Sequence, residues 1–261
     1  MINKIISWNI RGLGDVNKRI VVNSVLLKWR PDVVLLQETK LEVITDQLRR
    51  EIWSSQDIGC HYLPSQGASG GMCILWDNSK LEVFDTLEER HTIACAFRSR
   101  VNQSECFVAS VYGPRDRKER RRLWRELGDV MSLWDVPGVL GGDYNVTRFL
   151  EDKNRGNRIT RAMKDFNKFI NNWDLVDLPL TGEKYTWSNF QEFPTCSRID
   201  RLIINKKWDE YYPGTYQLAK PRPTSDHTPI QLSTSAVNTG PRPQRFELMW
   251  LQDESIKERM Q

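Results

Sequence analysis

At 261 residues, 39% of them hydrophobic and ten of them Trp, the chain can build a sizeable core, which excludes overall disorder. Its 38 basic and 34 acidic residues leave a net charge of only +4, so any anion-binding face is local rather than a property of the whole molecule. Five cysteines, odd in number and without a C-x-x-C pair, read as reduced core residues of a cytosolic or nuclear protein, and no signal pattern or long apolar run argues for secretion or a membrane span.

In chain order, Lys4 to Asn9 predicts an opening strand, which Gly12 and Gly14 end in a loop carrying Arg11. Val16 to Trp29 has apolar residues at helical spacing (Ile20, Val21, Val25, Leu26, Trp29), and Pro31 closes the helix. Asp32 to Glu38 is an apolar run too short for most helices. It predicts a buried strand, parallel to the first, that ends in an acid. A short helix is expected over Val43 to Ile52. From Gly59 to Gly113, short strands with turn signals (Cys60 to Pro64, Gly71 to Trp76, Leu81 to Phe84, Ile93 to Phe97, Cys106 to Tyr112) predict one antiparallel meander. Gly67 to Gly71 is a turn rather than a phosphate loop, because no helix pattern follows it.

Arg115 to Leu133 predicts a helix whose first half is crowded with positive charge. A solvated face, a DNA-phosphate contact and a nuclear-import patch are its alternative readings. The run Val139 to Asn145 looks like a buried strand that stops at a site, and strand alternation would aim Asp143 and Asn145 at one face. A polar loop over Thr147 to Arg158 leads to an amphipathic helix over Thr160 to Trp173. Lys184 to Trp187 and Ser197 to Ile204 then predict a hairpin with a polar loop between its strands. Tyr211 to Ala219 predicts a strand, and Lys220 to Pro229 a proline-fixed loop toward Ser225-Asp226-His227, after which Ile230 to Leu232 resumes a strand. Residues 1 to 234 are read as one domain. Ser235 to Arg245 has linker composition, and residues 235 to 261 join the domain to whatever follows.

Polar groups therefore stand at the ends of several strands: Asn9, Glu38, Tyr112, Asp143, Asn145, Thr186, Asp200, Asp226 and His227. In a layered α/β fold such ends converge on one rim. Acids, amides and a single histidine, without a nucleophilic Ser or Cys dyad, suit metal-assisted hydrolysis of a phosphate ester. Glu38 would hold a hard divalent cation, with Mg²⁺ the natural choice and Mn²⁺ the alternative. Asp143 would orient and deprotonate water, and His227 would stabilise developing charge, its tautomer set by a nearby carboxylate.

Ser7-Trp8-Asn9, Leu36-Gln37-Glu38-Thr39-Lys40, Val111-Tyr112-Gly113-Pro114, Gly141-Gly142-Asp143-Tyr144-Asn145, Tyr185-Thr186-Trp187, Arg198-Ile199-Asp200-Arg201 and Ser225-Asp226-His227 occur in this order. The series resembles the motifs of the endonuclease/exonuclease/phosphatase superfamily. Within it the chain is most similar to the apurinic-like endonuclease domain of plant LINE-type (non-LTR) retrotransposons, through Arg161-Ala162-Met163 with Phe166, Asp177 to Gly182, Tyr185 to Asn189 and Arg245 to Trp250.

The resemblance implies a DNase I-like four-layer α/β sandwich, two mixed β-sheets packed face to face with flanking helices. It also implies Glu38 as metal ligand with Asn9 beside it, Asp226 near the metal, and Asp143 activating water. Asn145, Tyr112 and Thr186 would contact the scissile phosphate, Ser225 would join the DNA-binding residues, and Asp200 would hydrogen-bond His227. The implied reaction is a Mg²⁺-dependent nick in one strand of double-stranded DNA, made in the nucleus. It leaves a 3′-hydroxyl that primes a reverse transcriptase carried on the same polyprotein.

Repair apurinic endonucleases have a second acid where this chain has Arg11. A cation facing the metal disfavours binding there, so Arg11 is expected to turn toward DNA phosphate or to leave Glu38 with fewer partners. A repair endonuclease or other phosphoesterase of the superfamily, and an inactive nucleic-acid-binding remnant, are the alternative functions. The loop from Ser188 to Ser197 is too long for a tight turn and carries Phe190 and Phe193, which would either wedge into the minor groove or fold back onto the sheet.

Overall fold

The computed structural model describes residues 2–234 other than Gln56 and Ala68. The predicted linker and following segment, 235–261, lie outside the described residues.

The chain opens with strand β1 (Lys4–Asn9), helix α1 (Val16–Trp29) and strand β2 (Val33–Gln37). Asp15 caps α1 by accepting the amide of Lys18, and Arg30 leaves the helix in the left-handed region before Pro31. β1 and β2 pair in parallel, as the apolar runs predict. The buried stripe of α1 is Val22, Leu26 and Trp29, whereas Ile20 is 60% exposed. Spacing alone misplaced that face by part of a turn, because several apolar residues compete for it. Helix α2 (Asp46–Ile52) starts later than expected, where Thr45 accepts the amide of Leu48.

Strands β3 (Ile58–Gln66), β4 (Ser69–Asp77), β5 (Leu81–Glu88), β6 (Thr92–Ser99) and β7 (Glu105–Tyr112) follow. They do not form one meander. β4 pairs with β2 and carries β3 outward in the first sheet, whereas β5, β6 and β7 build a second. Each hairpin satisfies its own turn, and local turn signals cannot tell which sheet receives it.

Helix α3 (Arg117–Leu133) returns the chain to β8 (Gly138–Asp143), parallel to β7. A 3₁₀ turn at Leu150–Asp152 precedes helix α4 (Arg161–Asn172) and the short strands β9 (Val176–Asp177) and β10 (Leu180–Thr181). The predicted hairpin shrinks to β11 (Trp187–Ser188) with β12 (Cys196–Ser197). The chain then leaves it to form β13 (Asp200–Ile204), which inserts between β8 and β9. Helix α5 (Lys206–Tyr211) precedes the predicted strand and takes its first residue, Tyr211. Asn205 caps it by accepting the amide of Trp208, and only β14 (Tyr216–Ala219) is extended before β15 (Ile230–Ser233).

The first sheet runs β10-β14-β15-β1-β2-β4-β3 and the second β5-β6-β7-β8-β13-β9. Between them lies a core in which Val33, Leu35, Ile74 and Leu232 of one sheet meet Cys95, Val108, Val139 and Leu202 of the other. α1 and α2 cover the outer face of the first sheet through Val22, Leu26 and Ile52. α3 and α4 cover the second through Leu123, Leu127, Phe166 and Phe169. This is the expected four-layer α/β sandwich. Cys73, Cys95 and Cys106 are buried, Cys60 and Cys196 half-buried, and all five are free thiols. No helix among the described residues is long and apolar enough to cross a membrane.

Candidate active site

Each sheet contains a pair of parallel strands joined by a helix, β1-α1-β2 in the first and β7-α3-β8 in the second. The carboxyl ends of those four strands carry Asn9, Glu38, Tyr112 and Asp143, and the antiparallel β13 and β15 bring Asp200 and the loop with His227 to the same rim. Asp200 pairs directly with Asp143 across β13 and β8, so two carboxylates are forced together by register alone. Gly142 permits the approach of β7: a Cβ there would stand 1.9 Å from the carbonyl oxygen of Val111. At the turn after β7, a Cβ on Gly113 would meet the Tyr144 carbonyl oxygen at 2.2 Å.

Asp143 is 1% exposed. Its Oδ2 accepts from Asn9 Nδ2 at 3.0 Å and its Oδ1 from the Asn145 amide at 2.8 Å. Asn9 Nδ2 also donates to Glu38 Oε1 at 3.1 Å, and the Tyr112 hydroxyl donates to that same oxygen at 2.7 Å. On the other side, His227 Nδ1 faces the Asp200 carboxylate at 2.9 Å, which leaves Nε2 pointing toward Asp143 Oδ2 at 3.9 Å. The carboxylate thus selects the tautomer or imidazolium with a proton on Nδ1.

Burial beside Asp200 pushes the Asp143 carboxyl up to about 7, although His227 opposes the rise. Burial alone would lower His227, but Asp200 and Asp143 outweigh it and push the imidazole up to about 9. Burial and Glu38 raise Tyr112, so it stays a phenol and a donor.

Several predicted residues sit differently from expectation. Thr186 is fully buried. Its hydroxyl accepts the amides of Ile199 and Asp200 at 3.1 and 3.0 Å and so holds Asp200 in place. Asn145 does not owe its direction to strand alternation, because β8 ends at Asp143 and Asn145 has φ 51°. Its side chain donates to the Gly113 carbonyl at 2.8 Å. The Ser225 hydroxyl donates to the Asn9 carbonyl at 2.8 Å and accepts the His227 amide, which anchors the loop rather than presenting a free group.

The Arg11 guanidinium is ion-paired with Asp226 and lies 3.9 Å from Glu38 Oε2. Two nearby carboxylates hold it more strongly than solvent does. Phe190 and Phe193 are 61% and 73% exposed, so neither folds back onto the sheet.

Trp187 was missed. Its Nε1 donates to Asp226 Oδ2 at 2.9 Å, a contact with no signal in the sequence beyond an aromatic next to Thr186. Also missed was a buried ion network behind the site, in which Asp177 is paired with Arg148, Arg198 and Arg201, and Arg201 with Asp152. The alternation of strand residues would have placed Arg201 on a solvent face. The second layer of helices buries it instead.

Glu38, Asp143, Asp200 and Asp226 are touched by the cations Arg11 and His227 among the described residues, so acidic groups outnumber the cations that touch them. Asp226 Oδ1 is buried without a hydrogen-bond partner. Excess acidic groups and an orphaned carboxylate oxygen both fit a divalent cation on the Glu38 and Asp226 side. Ligand atoms of Asp143, Asp200 and His227 also lie within 4.8 Å of one another. Because His227 Nδ1 is committed to Asp200, that trio is better suited to holding a proton than to holding a metal.

Residues 6–227 match the model of the Endonuclease/Exonuclease/phosphatase family. The chain belongs to that family. A Bacillus subtilis (strain 168) exodeoxyribonuclease is 25% identical to it over 259 residues, covering 88% of this chain and 98% of that protein. Among solved structures, the AP endonuclease LMAP of Leishmania major superposes with a TM-score of 0.71 at 16% identity, covering 90% of this chain and 88% of that one. The endonuclease domain of TRAS1, a telomere-specific non-LTR retrotransposon, gives 0.66 at 13% identity, covering 90% and 100%. A Neisseria 3′ phosphatase, NExo, bound to product DNA hairpin gives 0.71 at 18%, again covering 90% and 100%. These likenesses carry the fold. Family membership makes the chain a nuclease or phosphoesterase.

Proposed function

We propose that the chain is the endonuclease domain of a plant-type LINE (non-LTR) retrotransposon, a Mg²⁺-dependent enzyme that nicks one strand of double-stranded DNA. The observation that carries the reading is the facing of Asp143 and the Asp200–His227 pair across one buried spot, with Glu38, Asn9 and Tyr112 alongside. The motif order and the exposed loop between β11 and β12 support the retrotransposon assignment, as does the likeness to the TRAS1 domain.

Asp143, oriented by Asn9 and Asn145, takes a proton from the attacking water. The water oxygen bonds to phosphorus as the P–O3′ bond breaks, and the departing O3′ gains a proton from solvent, leaving a 3′-hydroxyl and a 5′-phosphate. His227 Nε2–H donates to a non-bridging oxygen as charge builds there. A Mg²⁺ or Mn²⁺ ion held by Glu38 and Asp226 would supply charge neutralisation at the phosphate. Tyr112 orients Glu38, and Thr186 orients Asp200. The 3′-hydroxyl would prime a reverse transcriptase on the same polyprotein, in the nucleus.

Supercoiled plasmid should be nicked with Mg²⁺ and not with EDTA, and a DNA polymerase should extend the product end. Asp143→Ala should lower nicking by at least about 10²-fold, the usual scale for loss of a general base, while gel-shift affinity stays near wild type. A nick that polymerase cannot extend would overturn the reading. The second reading, a repair or end-processing nuclease, is favoured by the Bacillus relative. A strong preference for an abasic duplex over plasmid would select it.

A further inference from the structure

Arg222 lies outside every motif, yet it joins two parts of the site. Pro221 and Pro223 flank it and restrict its backbone, so little conformational entropy is lost in holding it. Its guanidinium stands 4.5 Å from the centroid of the Phe190 ring, and its NH1 donates to the Asp226 carbonyl at 3.1 Å. The Asp226 carbonyl also accepts the Ser188 amide at 3.2 Å, and Trp187 Nε1 binds the Asp226 side chain. The residue next to His227 is therefore tied to the β11–β12 hairpin by Ser188 and Trp187, and Arg222 braces both its carbonyl and the Phe190 ring. Phe190 itself has φ 53°, a left-handed conformation that costs a non-glycine residue free energy, and it remains exposed. An exposed aromatic ring braced by a cation is placed to meet something outside the protein.

Beside the pair runs a cleft of about 440 Å³, lined among others by Tyr185, Trp187, Lys220 and Arg222. Aromatic faces interleaved with cations are the chemistry that receives nucleic acid, because bases stack and phosphates pair with the cations.

Resting on the endonuclease reading above, we infer that Arg222 is a specificity-determining residue: it holds Phe190 as a wedge against the minor groove of DNA flanking the cut and ties that contact to the Asp226–His227 segment. A guanidinium is drawn to a narrow minor groove, and a ring pressed on a base step is admitted more readily where the step is deformable. Site choice is thereby coupled to the loop that positions His227.

The test is a nick map on plasmid of defined sequence, for wild type, Arg222→Ala, Arg222→Lys and Phe190→Ala, each checked for an unchanged melting temperature. Arg222→Ala and Phe190→Ala should flatten the map in the same way. The preferred-site fraction should fall about two- to fivefold, the range that one exposed cation–π contact supports, with KM at a preferred-site duplex rising more than kcat falls. The double variant should lose no more than either single one. Arg222→Lys, which keeps charge on a flexible stem, should recover part of the preference. An unchanged map in a folded, active Arg222→Ala overturns this inference alone. Absence of nicking by the wild-type protein overturns the endonuclease reading and this inference with it.

Discussion

At the scale of single residues, the site is a set of charges that control each other. Asp143 must be ionised to take a proton and His227 protonated to donate one. With Asp143 pushed up to about 7 and His227 to about 9, nicking should rise as pH passes 7 and fall above 9. Asp200→Asn removes the charge that raises both groups, so both limbs should move to lower pH; an upper limb that stays put would show that Asp200 does not govern His227. Arg11 makes a second case. Because its guanidinium competes with any cation for Asp226 and Glu38, Arg11→Ala should lower the Mg²⁺ midpoint, both for nicking and for thermal stabilisation. An unchanged midpoint with a flatter salt dependence of DNA binding would return Arg11 to the DNA backbone.

Elements are held behind the site by the buried network that ties the 3₁₀ turn, α4, β9 and β13 together. Burial alone would raise Asp177, but Arg201, Arg198 and Arg148 hold its carboxyl at about 2, below the ordinary 3.8. Its folded-state value is depressed, so its stabilisation is fully present above about pH 4 and is lost as pH falls through 2. Removing one partner of such a pair leaves buried charge uncompensated. Asp177→Asn should cost about 3–5 kcal/mol at neutral pH, read from urea unfolding, and the gap from wild type should narrow as the pH is lowered below 4. Equal urea midpoints at neutral pH would contradict a stabilising network. By contrast, the hairpin of β11 and β12 is short and its loop is exposed. Replacing Phe190 to Thr195 with a Gly/Ser turn should leave the fold and Mg²⁺-dependent nicking intact while redistributing nick positions on a mapped plasmid.

For the molecule as a whole, β15, the last strand among the described residues, is built into the interior of the first sheet. β15 lies between β14 and β1, and the Thr234 amide donates to the Asn3 carbonyl at 3.0 Å. A chain ending at Thr234 retains every strand of both sheets. It should unfold cooperatively and nick plasmid at the full-length rate, whereas a chain ending before Ile230 should not fold, since β1 and β14 would lose their common partner. Loss of activity in the 234-residue chain would place a needed element in residues 235–261.

Some of this was legible without coordinates because it is local. The apolar runs of β1, β2 and β8, the helical spacing of α1 that Pro31 closes, and the polar residues that end the strands are written in neighbouring residues, and the order of those endings carries the family resemblance. Tertiary structure decided what depends on distant partners. It divided the strands between Gly59 and Gly113 over two sheets, a choice no turn sequence encodes. It made a helix of Lys206–Tyr211, capped by Asn205, where the sequence pattern predicts no element before Tyr211. It tied the Thr186 hydroxyl to the backbone of Ile199 and Asp200, and it turned Arg11 onto Asp226, 215 residues away in sequence. It also gave Arg222 a role, since a guanidinium finds a ring and a carbonyl only when the fold brings two loops together.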